Sequence, residues 1–306
     1  MKKAVIGCLE ETIDTLDYLY HIGETVDIIY TINSEKARNL KVTNYVDLKD
    51  YAKKNKISIE YFEKYSMKTK YDIDLILDCD ADFIFVLGWQ RLIPGDIIEK
   101  ATQKFFGFHG SYNFLPWGRG RSPLNWSIIE KRNRFILHMF EITPSVDDGN
   151  IVDMEVFEIN QYDNIRSLYY KTAIKQAIMI KRFINNYDIK KNTYYPQIGD
   201  NFYYPKRNPE DGLIFWNNKA SDICCLVRAL TKPYPGAFSY CNNKKIHIWS
   251  CQYFWDDINK VYFEIGEVIF TSSNEKKEFV VNCGEGQLLV TEYTYNGTIK
   301  KGYVLS

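Results

Sequence analysis

Gly107 to Ile151 reads GFHGSYNFLPWGRGRSPLNWSIIEKRNRFILHMFEITPSVDDGNI. In order, it holds a histidine closing an apolar run, a Gly/Pro-punctuated loop with two arginines, a short helix-like segment, a second apolar run and an Asp-Asp-Gly turn. His109 ends one predicted strand, and Asp147 lies just past another, Phe135 to Phe140. Neighbouring strands run ~5 Å apart, so the layout predicts that imidazole and carboxylate meet at one edge of a sheet, where open α/β sheets carry their sites.

Working outward toward the start, Lys3 to Cys8 reads as a strand, Glu11 to His21 as a helix and Val26 to Tyr30 as a strand. A helix over Asn44 to Lys54, with Asn44 as its cap, precedes a short strand at Ser58 to Tyr61, and Tyr71 to Leu77 continues as helix or turn. FIFVL, Phe83 to Leu87, is a continuous apolar run of the kind buried on both faces. This alternation predicts an α/β fold with a doubly wound, mainly parallel sheet. Gly7 stands alone after the first strand, and no G-x-G-x-x-G or P-loop pattern occurs, so a dinucleotide-binding reading has no support. After the buried strand comes a loop, Gly88, Trp89, Gln90, Arg91, Leu92, Ile93 and Pro94, leading into a helix near Asp96 to Ala101. An aromatic and two aliphatics at a strand's carboxyl end suit a flat heteroaromatic ligand, or else a loop packed on its own domain.

Working outward toward the end, Met154 to Ile159 reads as a strand and Ile165 to Asn186 as an amphipathic helix. Asp188 to Arg207, rich in tyrosine and carrying two prolines, follows neither period and reads as a linker. A helix over Ala220 to Leu230 and a series of short, turn-punctuated strands then predict a small β-barrel. The expected division is a first domain over 1–187, a linker over 188–207 and a second domain over 208–306.

At 306 residues, 45% hydrophobic and 25% charged, the chain can bury two cores. Lys+Arg and Asp+Glu balance at 39 each, so no global field draws it to nucleic acid or an anionic membrane. Its seven cysteines have no C-x-x-C spacing, and free thiols are expected. The opening Met-Lys-Lys mimics a signal n-region, but Glu10 and Glu11 interrupt before an apolar region can form. No run approaches the ~20 apolar residues of a membrane span. A cytoplasmic protein with reduced thiols is the expectation.

His21, His138 and His247 read as structural residues. His109 differs because Gly110, Ser111 and an open loop follow it directly. No G-x-S-x-G elbow and no zinc-ligand spacing accompanies it, which weighs against covalent and metal mechanisms. A His/Asp pair suits direct acyl transfer, in which the site holds an amine near an acyl donor, stabilises an oxyanion and moves one proton.

His109-Gly-Ser111, Leu115-Pro116, Arg119-Gly-Arg121-Ser-Pro123-Leu-Asn-Trp126 and Asp147-Asp-Gly149 resemble the core motifs of the folate-dependent formyltransferases, nearest to the sugar-nucleotide members. Pro209 to Trp216, Leu226 to Leu230 and Pro233 to Phe238 are similar to the linker and second-domain motifs shared with methionyl-tRNA formyltransferase. The resemblance spans most of the chain. It implies a Rossmann-like catalytic domain followed by an OB-like barrel, and N10-formyltetrahydrofolate as donor with its pterin held by Gly88 to Pro94. It further implies that His109 stabilises the oxyanion and that Asp147 orients His109 and takes the proton of the attacking amine. Ser111, Arg119, Gly120, Arg121 and Trp126 are the expected acceptor-binding residues; the two arginines otherwise bridge the loop to backbone. No metal is expected, and a homodimer is the association the resemblance suggests.

Two positions depart from the family pattern. Gly107 stands where the family usually has an asparagine as second oxyanion donor, and the loop before Pro116 is two residues longer. Asn113, carried by that longer loop, is the expected substitute, with a backbone N–H as the alternative. From Arg207 to Ser306, eleven Lys/Arg face eleven Asp/Glu, which disfavours tRNA as acceptor because binding its phosphates needs positive charge. A UDP- or dTDP-linked amino sugar, destined for lipopolysaccharide, O-antigen or another surface glycan, is the expected acceptor. Methionyl-tRNA is the alternative, and a non-catalytic folate- or nucleotide-binding module is a reading of another class.

Overall fold

The computed structural model describes residues 1–187, 193–254, 263–273 and 277–306. The first five positions of its larger sheet are parallel. Strand β1 (Lys3–Ile6) leads through helix α1 (Glu10–His21) to β2 (Ile28–Thr31). The chain continues through α2 (Ser34–Asn39), α3 (Lys49–Asn55), β3 (Ser58–Tyr61) and α4 (Lys70–Leu77) to β4 (Phe83–Val86), α5 (Gly95–Lys100) and β5 (Lys104–Ser111). The order is β3-β2-β1-β4-β5, with Val5 of β1 flanked by Ile29 and Phe85. β1 and β4 are buried along almost their whole length because helices cover both faces, which is why their sequences are apolar without alternation.

Asn44 does not cap a helix. It sits in a left-handed turn at φ 61°, its carbonyl accepting from Glu10 N, and α3 begins only at Lys49. An N-cap residue takes an extended backbone, so that turn moves the helix start. α2 had no counterpart in the sequence reading; its signal is Asn33, whose side chain accepts from Lys36 N.

β6 (Trp117–Gly120) and α6 (Pro123–Ile129) follow β5, and then β7 (Arg134–Glu141) and β8 (Ile151–Glu158) complete the sheet beside it, both antiparallel. α7 (Ile165–Asn186) has the predicted span. The expected linker over 188–207 needs correcting. Residues 188–192 lie outside the described residues, but Tyr195 bridges Ile151 through two backbone hydrogen bonds of 2.7 and 2.9 Å, and β9 (Phe202–Tyr204) pairs with β6. Residues 193–204 are part of the first compact unit, which comprises residues 1–120, 134–158 and 169–204.

The second unit comprises residues 121–133, 159–168 and 205–306. It contains α8 (Ala220–Leu230) and strands β10 (Ala237–Cys241), β11 (Lys244–Tyr253), β12 (Val268–Thr271), β13 (Phe279–Asn282) and β14 (Gln287–Tyr295), in the antiparallel order β10-β11-β14-β13-β12. The two edges are joined by residues 303–306, since Ser306 exchanges hydrogen bonds with Tyr240 while Leu305 N bonds Gly266 O and Val268 N bonds Tyr303 O. That closure turns the sheet into a small barrel and removes its free edges. α6 belongs to this unit: Asn125 Nδ2 donates to Ala229 O at 2.7 Å, and Arg228 holds the carbonyls of Asn160 and Asp163.

Candidate active site

In an antiparallel pair the carboxyl ends of two strands lie at opposite edges, so topology alone does not bring His109 and Asp147 together. His109 lies opposite His138 inside β5, and the end of β7, Glu141, is opposite Phe106. The turn after β7 closes the distance. Glu141 N donates to Asn150 O at 3.0 Å, and the chain between them folds back with Asp147 in the left-handed region at φ 51°. Gly149 is required there, because a Cβ would lie 1.7 Å from Glu141 O. The result is His109 Nδ1 3.5 Å from Asp147 Oδ2, with both side chains largely shielded from solvent.

The other imidazole nitrogen, Nε2, lies 2.9 Å from Gly118 O. A carbonyl has no hydrogen to give, so Nε2 is the donor in that contact. The fold therefore presents an imidazole whose Nε2–H can exchange a backbone carbonyl for a substrate oxygen. His138, directly across, is buried, and burial pushes its pKa down to about 4, so it stays neutral beside His109.

At Gly107 the space for a side chain is occupied. A Cβ would meet Phe140 Cζ at 3.1 Å and Ile142 Cγ1 at 3.2 Å. Asn113 is half-buried in the longer loop: its Oδ1 accepts from Phe114 N, while Ser111 Oγ clasps the loop through Asn113 O, Asn113 N and Trp117 O. Ser111 is fully buried, and its hydroxyl is engaged in clasping the loop.

The Gly88 to Pro94 loop divides into packed and presented residues. Trp89 is half-buried, with its ring edge-on to Tyr65 at 4.6 Å and Phe62 at 5.5 Å, and Ile93 is in the same core. Tyr65, which no sequence signal picked out, organises the loop: its hydroxyl accepts from Gln90 N, and Arg91 lies over its ring at 4.9 Å. Gln90, Arg91 and Leu92 remain exposed. The indole therefore packs in part on the domain's own aromatic rings. Trp89→Ala should lower Tm through lost core packing worth roughly 3 kcal/mol, with the KM for the formyl donor within about twofold; thermal denaturation alongside steady-state kinetics checks it. The loop adjoins the Asp147 turn, since a Cβ at Gly95 would lie 3.7 Å from Pro144.

Arg119, expected to contact the acceptor, is only 7% exposed and is occupied: Nε and Nη2 donate to Gln197 Oε1 at 3.1 and 2.7 Å, and Nη1 to Tyr203 Oη at 3.4 Å. It bridges β6 to the side chains of Gln197 and Tyr203. Gly120, at φ 98°, packs its backbone against Tyr204. In the second unit, Trp126 donates to Pro205 O and lies under Arg207, while Arg121 is exposed and makes no hydrogen bond or ion pair among the described residues. The seven cysteines are free thiols. Among the described residues, no group of three His, Cys, Asp or Glu is arranged to hold a metal.

Comparison with known proteins gives two family matches, Formyl transferase over residues 6–184 and Formyl transferase, C-terminal domain, over residues 206–300. The bifunctional polymyxin resistance protein ArnA of Wigglesworthia glossinidia brevipalpis is 32% identical over 263 residues, which are 84% of this chain and 38% of that protein. The chain thus spans well under half the length of this relative. Among solved structures, HypX from Aquifex aeolicus in complex with tetrahydrofolic acid superposes with TM-score 0.64 at 15% identity, over 100% of this chain and 46% of that one. The N-formyltransferase from Helicobacter canadensis, in complex with folinic acid and dTDP-3-aminofucose, gives 0.63 at 18%, over 96% and 100%.

Proposed function

The chain belongs to the formyl transferase family, and from that premise we propose that it transfers the formyl group of N10-formyltetrahydrofolate to the amino group of a nucleotide-linked amino sugar. The observation that carries the chemistry is the His109 to Asp147 contact at 3.5 Å. The amine nitrogen attacks the formyl carbon, negative charge collects on the formyl oxygen, and the bond from that carbon to N10 breaks. The amine loses one proton and N10 gains one. His109 Nε2, releasing Gly118 O, donates to the charged oxygen, and Asp147 holds the ring and receives the amine proton.

Gln90, Arg91 and Leu92, with the Gly88 backbone, are our candidates for holding the donor, opposite the Thr143 to Asp147 turn. The second oxyanion donor is the Asn113 amide nitrogen, which has no partner among the described residues.

The acceptor reading rests on charge and analogy. The C-terminal residues carry no excess of cations for an RNA backbone, and the Helicobacter canadensis neighbour is bound to dTDP-3-aminofucose. Arg121 is our candidate for the diphosphate, because a planar guanidinium makes paired bonds to phosphate oxygens that an ammonium cannot reproduce. Arg121→Lys should raise the sugar-nucleotide KM by about tenfold, with kcat and the donor KM changed less; initial rates over both substrates check it. The product suits assembly of a cell-surface glycan, and the cytoplasm is where we place the reaction. No described helix is long and apolar enough to cross a membrane. A homodimer remains part of the proposal.

Following tetrahydrofolate release with a panel of UDP- and dTDP-linked amino sugars, with methionyl-tRNA alongside, tests the reading. Turnover confined to methionyl-tRNA would replace the acceptor. Binding of folate with no turnover on any acceptor would make the chain a binding module.

A further inference from the structure

Gln197 uses all of its amide on three neighbours. Its Nε2 donates to Asp147 O and Gly149 O, each at 2.8 Å, and its Oε1 accepts from Arg119 Nε and Nη2. An amide has two N–H donors and one carbonyl with two lone pairs, so every hydrogen-bonding position is filled. The two carbonyls it holds flank Asp148 and belong to the turn that puts Asp147 at φ 51°. That backbone is disfavoured for a residue with a Cβ and persists when surrounding contacts over-determine it. Arg119, charged and buried, polarises the amide and strengthens its two N–H donors.

The same arginine connects to the other half of the pair. It directly follows Gly118, whose carbonyl accepts from His109 Nε2 at 2.9 Å. Gln197 is itself fixed on both sides, by the Tyr195 to Ile151 bridge before it and by β9 on β6 after it. The brace therefore runs from the carbonyl that holds the imidazole, through Arg119 and Gln197, to the backbone that carries the carboxylate.

We propose that Gln197 is a positioning residue, which with Arg119 sets the distance between Asp147 and His109. This rests on the reading of His109 and Asp147 as the reacting pair. Two variants test it. Gln197→Met keeps the length and removes every hydrogen bond. Gln197→Glu keeps the shape and the bond to Arg119 but turns an oxygen, with no hydrogen to give, toward the two carbonyls.

Both should lower kcat for formyl transfer by roughly 10- to 100-fold, since misplacing a reacting group by about 1 Å costs that much, while both KM values stay within about threefold. Adding Asp147→Asn to Gln197→Met should cost little beyond Asp147→Asn alone, because the brace acts through that carboxylate. The spectroscopic readout needs no turnover: the Nδ1 proton resonance of His109, assigned by its absence in His109→Gln, should be lost in Gln197→Met as in Asp147→Asn. Full kcat in Gln197→Glu, additive losses in the double variant, or an unchanged His109 resonance in Gln197→Met would each overturn the proposal. Failure of the underlying reading looks different, namely full kcat in Asp147→Asn itself or no formyl transfer by the wild type.

Discussion

His109→Ala should lower kcat for formyl transfer by about three orders of magnitude, while the Tm and the binding of each substrate alone should stay close to wild type. Removing one oxyanion donor costs ~10²–10³, and a lost general acid or base costs ~10²–10⁴. The upper part of that range applies because the space at Gly107 is filled by Phe140 and Ile142, leaving no side-chain amide on the same strand to share the charge. The fold should survive because, among the described residues, the ring is bonded only to Gly118 O and Asp147, and no core cluster includes it. Single-turnover rates with both substrates saturating, plus calorimetry with a non-transferable folate, check the result. A kcat within tenfold of wild type would remove His109 from the reaction.

Asp147→Asn should lower kcat by about 10²–10⁴, and the backbone makes it a clean substitution. Asparagine is among the few non-glycine residues that tolerate left-handed φ, so the turn at φ 51° and both bonds from Gln197 are retained. What changes is charge: an amide cannot receive the amine proton. Because both residues act on charge present only as the transition state forms, KM should move much less than kcat. The double variant should lose little more than His109→Ala alone. Rate constants for the two single variants and the double variant decide it, and a simple product of the two losses would mean the groups act independently.

Much of the α/β architecture was legible in the sequence because its signals are local. FIFV, buried on both faces, shows as an unbroken apolar run, and α7 and α8 have the predicted spans. Strand direction is not encoded in such a run, so β7 was recognised as a strand but not as antiparallel to β5. That direction matters at the site, because it leaves the Asp147 turn, and not the sheet edge, to bring the carboxylate back.

The braces were illegible for another reason. Gln197 bonds residues 50 and 48 positions earlier, and Arg119 reaches it across 78. No periodicity reports a contact at such separation, and Tyr195 to Tyr204 carries one isolated bridge and one three-residue strand. Arg119 and Arg121, two residues apart in one motif, came out oppositely. One is buried against an amide and the other lies in solvent, a difference set by β6 pairing with β9.

The tight space at Gly107 also sets the route for redesign. A Cβ there would lie 3.1 Å from Phe140 Cζ and 3.2 Å from Ile142 Cγ1, so Gly107→Asn requires those side-chain ends to give by a few tenths of an ångström before its amide can face a substrate. Restoring an amide on β5 is therefore a problem of several residues at once, whereas the longer loop already carries Asn113.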